Sequence, residues 1–135
     1  LEVSLGPDIN PIMADEIAMV EALRNLVENA FRYAGDGPVE ITLRGEEQEI
    51  VYSVGDQGTP IPPRERRRIF KRFYRVASNR EPGTGLGLAI VHHVVKSHGG
   101  SVAVTSSEEA GNVFTVRLPM APPEGEGEGA QEDAQ

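Results

Sequence analysis

The stretch VEITLRGEEQEIVYSVGD, residues 39–56, contains two runs in which apolar and polar residues alternate, 39–45 and 48–56, with Gly45 to Glu47 between them. A period of two is that of a half-buried strand, and so short a connection lets the two runs pair directly as a hairpin. Near the other end, SVAVTS (101–106) and VFTVRLP (113–119) flank the turn EEAGN and repeat the pattern. The amino-terminal LEVSL also alternates, and a short extended piece is expected at Ile12 and Met13. Too many strands follow one another without a crossover helix for a doubly wound sheet. The order implies an α+β fold, a two-layer α/β sandwich whose mixed, mostly antiparallel sheet carries three helices on one face.

The helices are marked by a different period. Ile17, Val20, Leu23, Leu26, Val27 and Ala30 recur at spacings of three and four, with Asp15 placed to cap the start and Gly35 to end the run. Pro63 can open a short helix reaching about Phe73, and residues 75–85 read as a loop. LGLAIVHHVVKS, residues 86–97, forms a third helix between a glycine-rich turn and Gly99-Gly100.

Composition narrows the function classes. The 135 residues suffice for one layered domain at 39% apolar content. No apolar run approaches the roughly 20 residues that cross a bilayer, and the first residues, with Glu2 and Asp8, do not resemble a signal peptide. A cytoplasmic, soluble domain is therefore expected. Absence of cysteine excludes disulfides and thiolate chemistry. Of the 21 acidic residues, Glu124, Glu126, Glu128, Glu132 and Asp133 lie in the last stretch, so the net charge of −8 belongs largely to it. That stretch, PPEGEGEGAQEDAQ, lacks the apolar content to fold, which divides the chain into a domain over 1–120 and an acidic disordered tail over 121–135. Eight bases, Arg64, Arg66, Arg67, Arg68, Lys71, Arg72, Arg75 and Arg80, crowd into one segment. Such a patch suits a phosphate ligand or an acidic protein, and equally a solvated helix. Nucleic acid is disfavoured, because a negative body forfeits the long-range attraction of a phosphate backbone.

Three short constellations carry chemistry. Asn25 and Asn29 stand four residues apart with Arg32 three further on, so at ~100° per residue they share one stripe of the first helix. An Asn carbonyl oxygen is a neutral hard ligand for a Mg²⁺ ion that shares a nucleotide's phosphates, Arg32 can meet a phosphate, and Tyr33 can stack on a base. The same spacing also fits a polar outer face. Asp56-Gln57-Gly58-Thr59-Pro60 follows a strand, where a carboxylate can accept from an exocyclic amine; it also fits a common turn. Gly83-Thr84-Gly85-Leu86-Gly87-Leu88 precedes a helix whose free amides and dipole favour phosphate oxygens, or it is only a flexible entry loop. It sits too late for a dinucleotide fingerprint, and no Walker lysine follows it.

Taken together, NLVENAFRYA resembles the N box of bacterial two-component sensor histidine kinases, DQGTPIP the G1 box, IFKRFYR the F box, and GTGLGLAIV with the later HGG the G2 box. The order and spacing match over roughly residues 10–119. The resemblance implies the ATP-binding Bergerat sandwich shared with DNA gyrase B, Hsp90 and MutL, and the cofactors ATP and Mg²⁺. By resemblance Asn29 is the Mg²⁺ ligand, Asn25 its companion near the phosphates, Arg32 a phosphate contact and Tyr33 a flank of adenine. Asp56 takes the place of the adenine-amine acceptor, Gly58 that of the close-approach glycine, and Ile61 lies beside them. Phe70 and Phe73 resemble the aromatics that anchor the lid, Arg75 the residue that reaches the terminal phosphate. Gly83, Thr84, Gly85, Leu86, Gly87 and Leu88 resemble the phosphate-cradling segment.

The implied function is transfer of the γ-phosphoryl group to a histidine on a separate dimerisation domain, with a downstream response regulator as the next partner. The full-length protein is then expected to be a membrane-anchored homodimer. His92, His93 and His98 lack the acceptor context H-E/D-x-R-T-P-L and read as structural. Where ATPase relatives place a water-activating glutamate, this chain has Asn25, so slow hydrolysis is expected. G1 usually reads Asp-x-Gly-x-Gly, and here Pro60 replaces the second glycine, which implies an altered turn or a lost donor; with Asp56 and Gly58 retained, nucleotide binding is expected to survive, at reduced affinity at most. Two rivals remain: an anti-sigma-type serine kinase on the same sandwich, and a degenerate module that binds a partner protein through its lid.

Overall fold

The computed structural model describes residues 2–5, 15–34, 37–71 and 87–120. The expected hairpin is present as β2 (Val39–Glu46) and β3 (Glu49–Asp56), antiparallel from Val39↔Asp56 to Glu46↔Glu49. Its turn is tighter than the sequence suggests. Gly45 lies inside β2 opposite Ile50, and Glu47 and Gln48 alone make the reversal, at φ of 48° and 69°. A two-residue turn with both φ positive matches the right-handed twist of the strands, which is why it prevails here without a glycine.

The second hairpin joins β4 (Ser101–Ser107) to β5 (Gly111–Pro119), and β5 pairs with β3. β1 (Glu2–Leu5) lies parallel to β2, giving one five-stranded sheet in the order β1-β2-β3-β5-β4. Two α-helices cover one face and pack on each other: α1 (Glu16–Ala34) over β2 and β3, α2 (Gly87–Ser97) over β4 and β5. The short helix expected from Pro63 takes the form of two 3₁₀ turns, Pro63–Glu65 and Arg68–Phe70. The extended piece at Ile12 and Met13, the loop at 75–85 and the tail at 121–135 lie outside the described residues.

The core lies between the helices and the alternate strand residues that face them. Val39, Tyr52, Val54, Phe114, Val116 and Leu118 meet Ala22, Leu26 and Ala30 of α1 and Val91, Val94 and Val95 of α2. Ile69 of the second 3₁₀ turn joins the same core, which fixes that turn against the domain. The opposite sheet face bears Ser53 and Thr115, whose hydroxyls share a hydrogen bond of 3.3 Å, and Arg117, which pairs with Glu46 at 3.0 Å. Arg117 and Arg44 hold the Glu46 carboxyl below its ordinary value, but the pairs are solvated and add little stability. On α1 the apolar arc is wider than the buried stripe. Ala22, Leu26 and Ala30 reach the sheet, whereas Ile17 is 82% exposed and Val20 52%.

Asp15 caps α1 as expected, its Oδ1 accepting the Ala18 N–H at 3.1 Å. Its own amide donates to His98 Nε2 at 2.9 Å, and His98 Nδ1 lies 2.7 Å from the Val94 carbonyl, so the proton sits on Nδ1. The start of α1 is thereby tied to the end of α2, and His98 is structural in that sense. Asp15→Ala and His98→Ala should each cost about 1 kcal/mol in urea unfolding. Because both secure one helix end, the double variant should lose less than the sum of the two, and strict additivity would show that the contacts act separately.

Candidate nucleotide site

Asp56 ends β3 on the helix-facing side of the sheet and is 2% exposed. Its Oδ1 accepts from the Gly58 amide at 2.8 Å and from Asn112 Nδ2 at 3.2 Å. Among the described residues nothing donates to its Oδ2. Burial pushes the carboxyl above its ordinary value, and the two hydrogen bonds partly counter that by favouring the charged form.

Asn112, which no sequence pattern singled out, holds the whole turn. Besides Asp56, its Nδ2 donates to the Thr59 carbonyl at 3.0 Å, and its Oδ1 accepts from Ser106 Oγ at 2.5 Å and from the Ile61 amide at 3.3 Å. The Ile61 amide is shared with Ser106 Oγ at 3.2 Å. Register explains the arrangement, since Asp56 lies opposite Asn112 and Asn112 opposite Ser106 on one face of three adjacent strands. Gly111, at φ 73°, must lack a side chain, because a Cβ there would collide with the Asp56 carbonyl oxygen. Pro60 is exposed, and the turn amides in use are those of Gly58 and Ile61. The missing donor at position 60 is therefore bypassed rather than lost from this network.

The second part of the site lies between the helices. Asn25 Nδ2 donates to the Glu21 carbonyl one turn back at 2.9 Å, which orients its Oδ1 toward α2. Gly87, the first residue of α2, sits so close that a Cβ would stand 3.1 Å from that oxygen. The free amides and positive end of α2 thus open beside Asn25. Asn29 is half-buried and follows on the same stripe, and Arg32 is exposed.

Around these, Ile61, Phe70 and Leu88 pack on the core, and Phe70 sets its edge to Phe114 at a centroid distance of 6.1 Å and 84°. Phe70 also lies 6.1 Å from the ring of His92. The structure therefore brings Asp56, Gly58 and Ile61 into one group and Asn25 and Gly87 into another. The Tyr33 side chain, Phe73, Arg75, Gly83, Thr84, Gly85 and Leu86 lie outside the described residues.

Residues 14–122 match the family model described as histidine kinase-, DNA gyrase B-, and HSP90-like ATPase. The chain is 40% identical over 115 residues to the sensor-like histidine kinase SenX3 of Mycolicibacterium smegmatis, a match that covers 82% of this chain and 30% of that protein. It is 40% identical over 110 residues to the sensor histidine kinase RppB of Synechocystis, covering 78% of this chain and 24% of that one. Among solved structures it is similar to the mycobacterial sensor histidine kinase MprB at a TM-score of 0.76 and 32% identity, over 87% of this chain and 79% of that chain. The catalytic domain of the histidine kinase ThkA gives the same TM-score at 30% identity, over 90% and 80%. The chain spans less than a third of the curated relatives' length. With this fold, this arrangement of Asp56, Asn25 and Gly87, and these relatives, the chain belongs to the histidine kinase-, DNA gyrase B- and HSP90-like ATPase family, as an ATP-binding catalytic domain of the sensor histidine kinase type.

Proposed function

We propose that the domain holds Mg-ATP and gives the γ-phosphoryl group to a histidine on a separate dimerisation domain of a longer, membrane-anchored homodimer, from which a response regulator is phosphorylated. The observation that carries this reading is the seating of Gly87 against Asn25. It places a helix N-terminus, which favours anions, beside a side chain whose only outward group is a neutral oxygen.

Each end of a nucleotide finds matching chemistry. At the base end, Asp56 keeps its Oδ1 occupied by Gly58 and Asn112 and offers its Oδ2 to an exocyclic amine. Ile61, held by Asn112 and Ser106, supplies apolar surface near it, Phe70 and Leu88 are assigned to the same apolar lining, and Tyr33 is assigned to flank the ring. At the phosphate end, the amides of α2 and Gly87 are assigned to the cradle together with Gly83, Thr84, Gly85 and Leu86, Arg32 and Arg75 are assigned as cationic contacts, and Phe73 is assigned to anchor the lid. The carboxamide oxygen of Asn29, with Asn25 beside it, fits a hard cation that keeps most of its waters and shares the phosphates. Magnesium would supply neutralisation of the phosphate charge.

Asn25 also separates transfer from hydrolysis. Its Nδ2 is spent on the Glu21 carbonyl and its oxygen is no base, so this position directs no general base at water. Rate then comes from positioning and charge neutralisation, as phosphoryl transfer allows. The acceptor is assigned to another domain because none of His92, His93 and His98 stands in the acceptor context H-E/D-x-R-T-P-L, and both ring nitrogens of His98 are engaged.

Incubating the chain with an isolated dimerisation domain and labelled ATP should give acid-labile phosphohistidine. Acid-stable phosphoserine would point to the serine kinase, and no label with intact partner binding to a docking module. Asn29→Ala should abolish the label while leaving the circular dichroism unchanged; retained transfer removes Asn29 from its role.

Asp56→Asn should weaken ATP binding by at least about tenfold, since the amide presents a donor or a weaker acceptor to the adenine amine. Its effect on stability should have the opposite sign. The folded carboxyl titrates above the unfolded one, so the contribution of Asp56 to stability falls as pH rises through the carboxylate range, and the Asn variant lacks that contribution. Measured against pH, the variant should gain relative to wild type between acid and neutral conditions. A gap that stays constant with pH would show that burial does not strain Asp56.

A further inference from the structure

Within the basic segment, Arg64, Arg67, Arg68 and Lys71 are exposed, but Arg66 is half-buried and turns back into the domain. Its amide closes the first 3₁₀ turn on the Pro63 carbonyl at 3.3 Å, so its backbone belongs to the basic segment. Its guanidinium reaches elsewhere. Nε donates to the Ile61 carbonyl at 3.1 Å and Nη2 to the Ser106 carbonyl at 3.3 Å.

Ile61 is thereby held at both backbone groups, the amide by Asn112 and Ser106 and the carbonyl by Arg66. Charged donors make stronger hydrogen bonds to carbonyls than neutral ones. The planar fork of Arg reaches two carbonyls at once, which the single head of Lys does with less directional control. A residue with no donor would fill the same space and leave both carbonyls without this partner. Asp56, Asn112 and Ser106 form one hydrogen-bonded group at the sheet's end, and Arg66 joins the basic segment to it through the Ile61 and Ser106 carbonyls.

Resting on the proposed function, we infer that Arg66 is a positioning residue for base recognition: it fixes the Ile61 wall against the Asp56 turn and so sets affinity for the adenine end of the nucleotide, not for the phosphates. Its charge is spent within the fold, unlike that of its neighbours in the sequence. A substitution there should loosen the base side and leave the α2 amides beside Asn25 as they are.

The test uses the 135-residue chain and two probes with Mg²⁺, adenylyl-imidodiphosphate and inorganic tripolyphosphate, which lacks a base. Arg66→Met should weaken the first about tenfold and leave the second within about twofold, and Arg66→Lys should recover part of the loss. In the unliganded protein, hydrogen exchange at the Ile61 amide should accelerate in Arg66→Met while the amides in the middle of α1 keep their rates. Equal weakening of both probes, or unchanged binding of adenylyl-imidodiphosphate, overturns the inference. If Arg66→Met does not fold, Arg66→Lys decides by the same ratio of losses. Failure of the wild-type chain to bind adenylyl-imidodiphosphate at millimolar concentration would bring down the nucleotide reading and this inference with it; unchanged exchange at Ile61 brings down the inference alone.

Discussion

A carboxylate buried at the end of a sheet must be paid for by hydrogen bonds, and the way Asp56 is held governs much of what surrounds it. Its Oδ1 needs donors, and these come from the Gly58 amide and from Asn112 on the neighbouring strand. For Asn112 to lie opposite Asp56, β5 must begin within a residue of the turn, and Gly111 must pass over the Asp56 carbonyl without a Cβ. Once Asn112 is placed, its remaining donor and acceptor fix Thr59, Ile61 and Ser106. One burial thus dictates a register, a glycine and the shape of a turn. The carboxyl is still pushed upward, which shows that these bonds offset the desolvation only in part. A ligand amine reaching Oδ2 would supply the further donor that the described residues do not.

The fold was legible because hydrophobic period speaks directly to secondary structure. The alternation in 39–56 and in 101–119, and the three-four spacing from Ile17 to Ala30, are local signals, and each element formed within a residue or two of its expected bounds. The reversal falls at Glu47 and Gln48 rather than across Gly45 to Glu47, because two positive φ angles match the strand twist, which the alternation pattern does not encode. The short helix after Pro63 became two 3₁₀ turns because Ile69 is drawn into the core there, a tertiary demand that no local pattern encodes.

The site divided along the same line. Asn25, Asp56 and Gly87 each stand out in sequence by an unusual residue in a particular local setting: an Asn within a helix, an acid ending a strand, a glycine opening a helix. Asn112, Ser106 and Gly111 do not, since Gly-Asn after a hairpin turn reads as turn chemistry. The partner that gives Asn112 its meaning lies 56 positions away in the chain. Arg66 was hidden differently, as one base among eight whose neighbours are solvent-exposed. Charge patterning reports a segment's average, and the average concealed a residue whose charge is used inside the fold.

Pro60 illustrates how a departure from a family pattern is judged by which atoms the fold uses. Proline removes an amide and fixes φ, so the cost of placing it in a turn depends on whether that amide had a partner. Here the hydrogen bonds that shape the turn run from residues 58 and 61 on either side, and Asn112 takes the carbonyl of residue 59. A proline between these points removes nothing the network requires. It also leaves fewer unfolded conformations to lose on folding, so a rigid residue in a turn already defined by its flanks can favour the ordered state. The glycine that the family places there supplies freedom, and in this chain the work of shaping the turn is done by a side-chain amide from across the sheet.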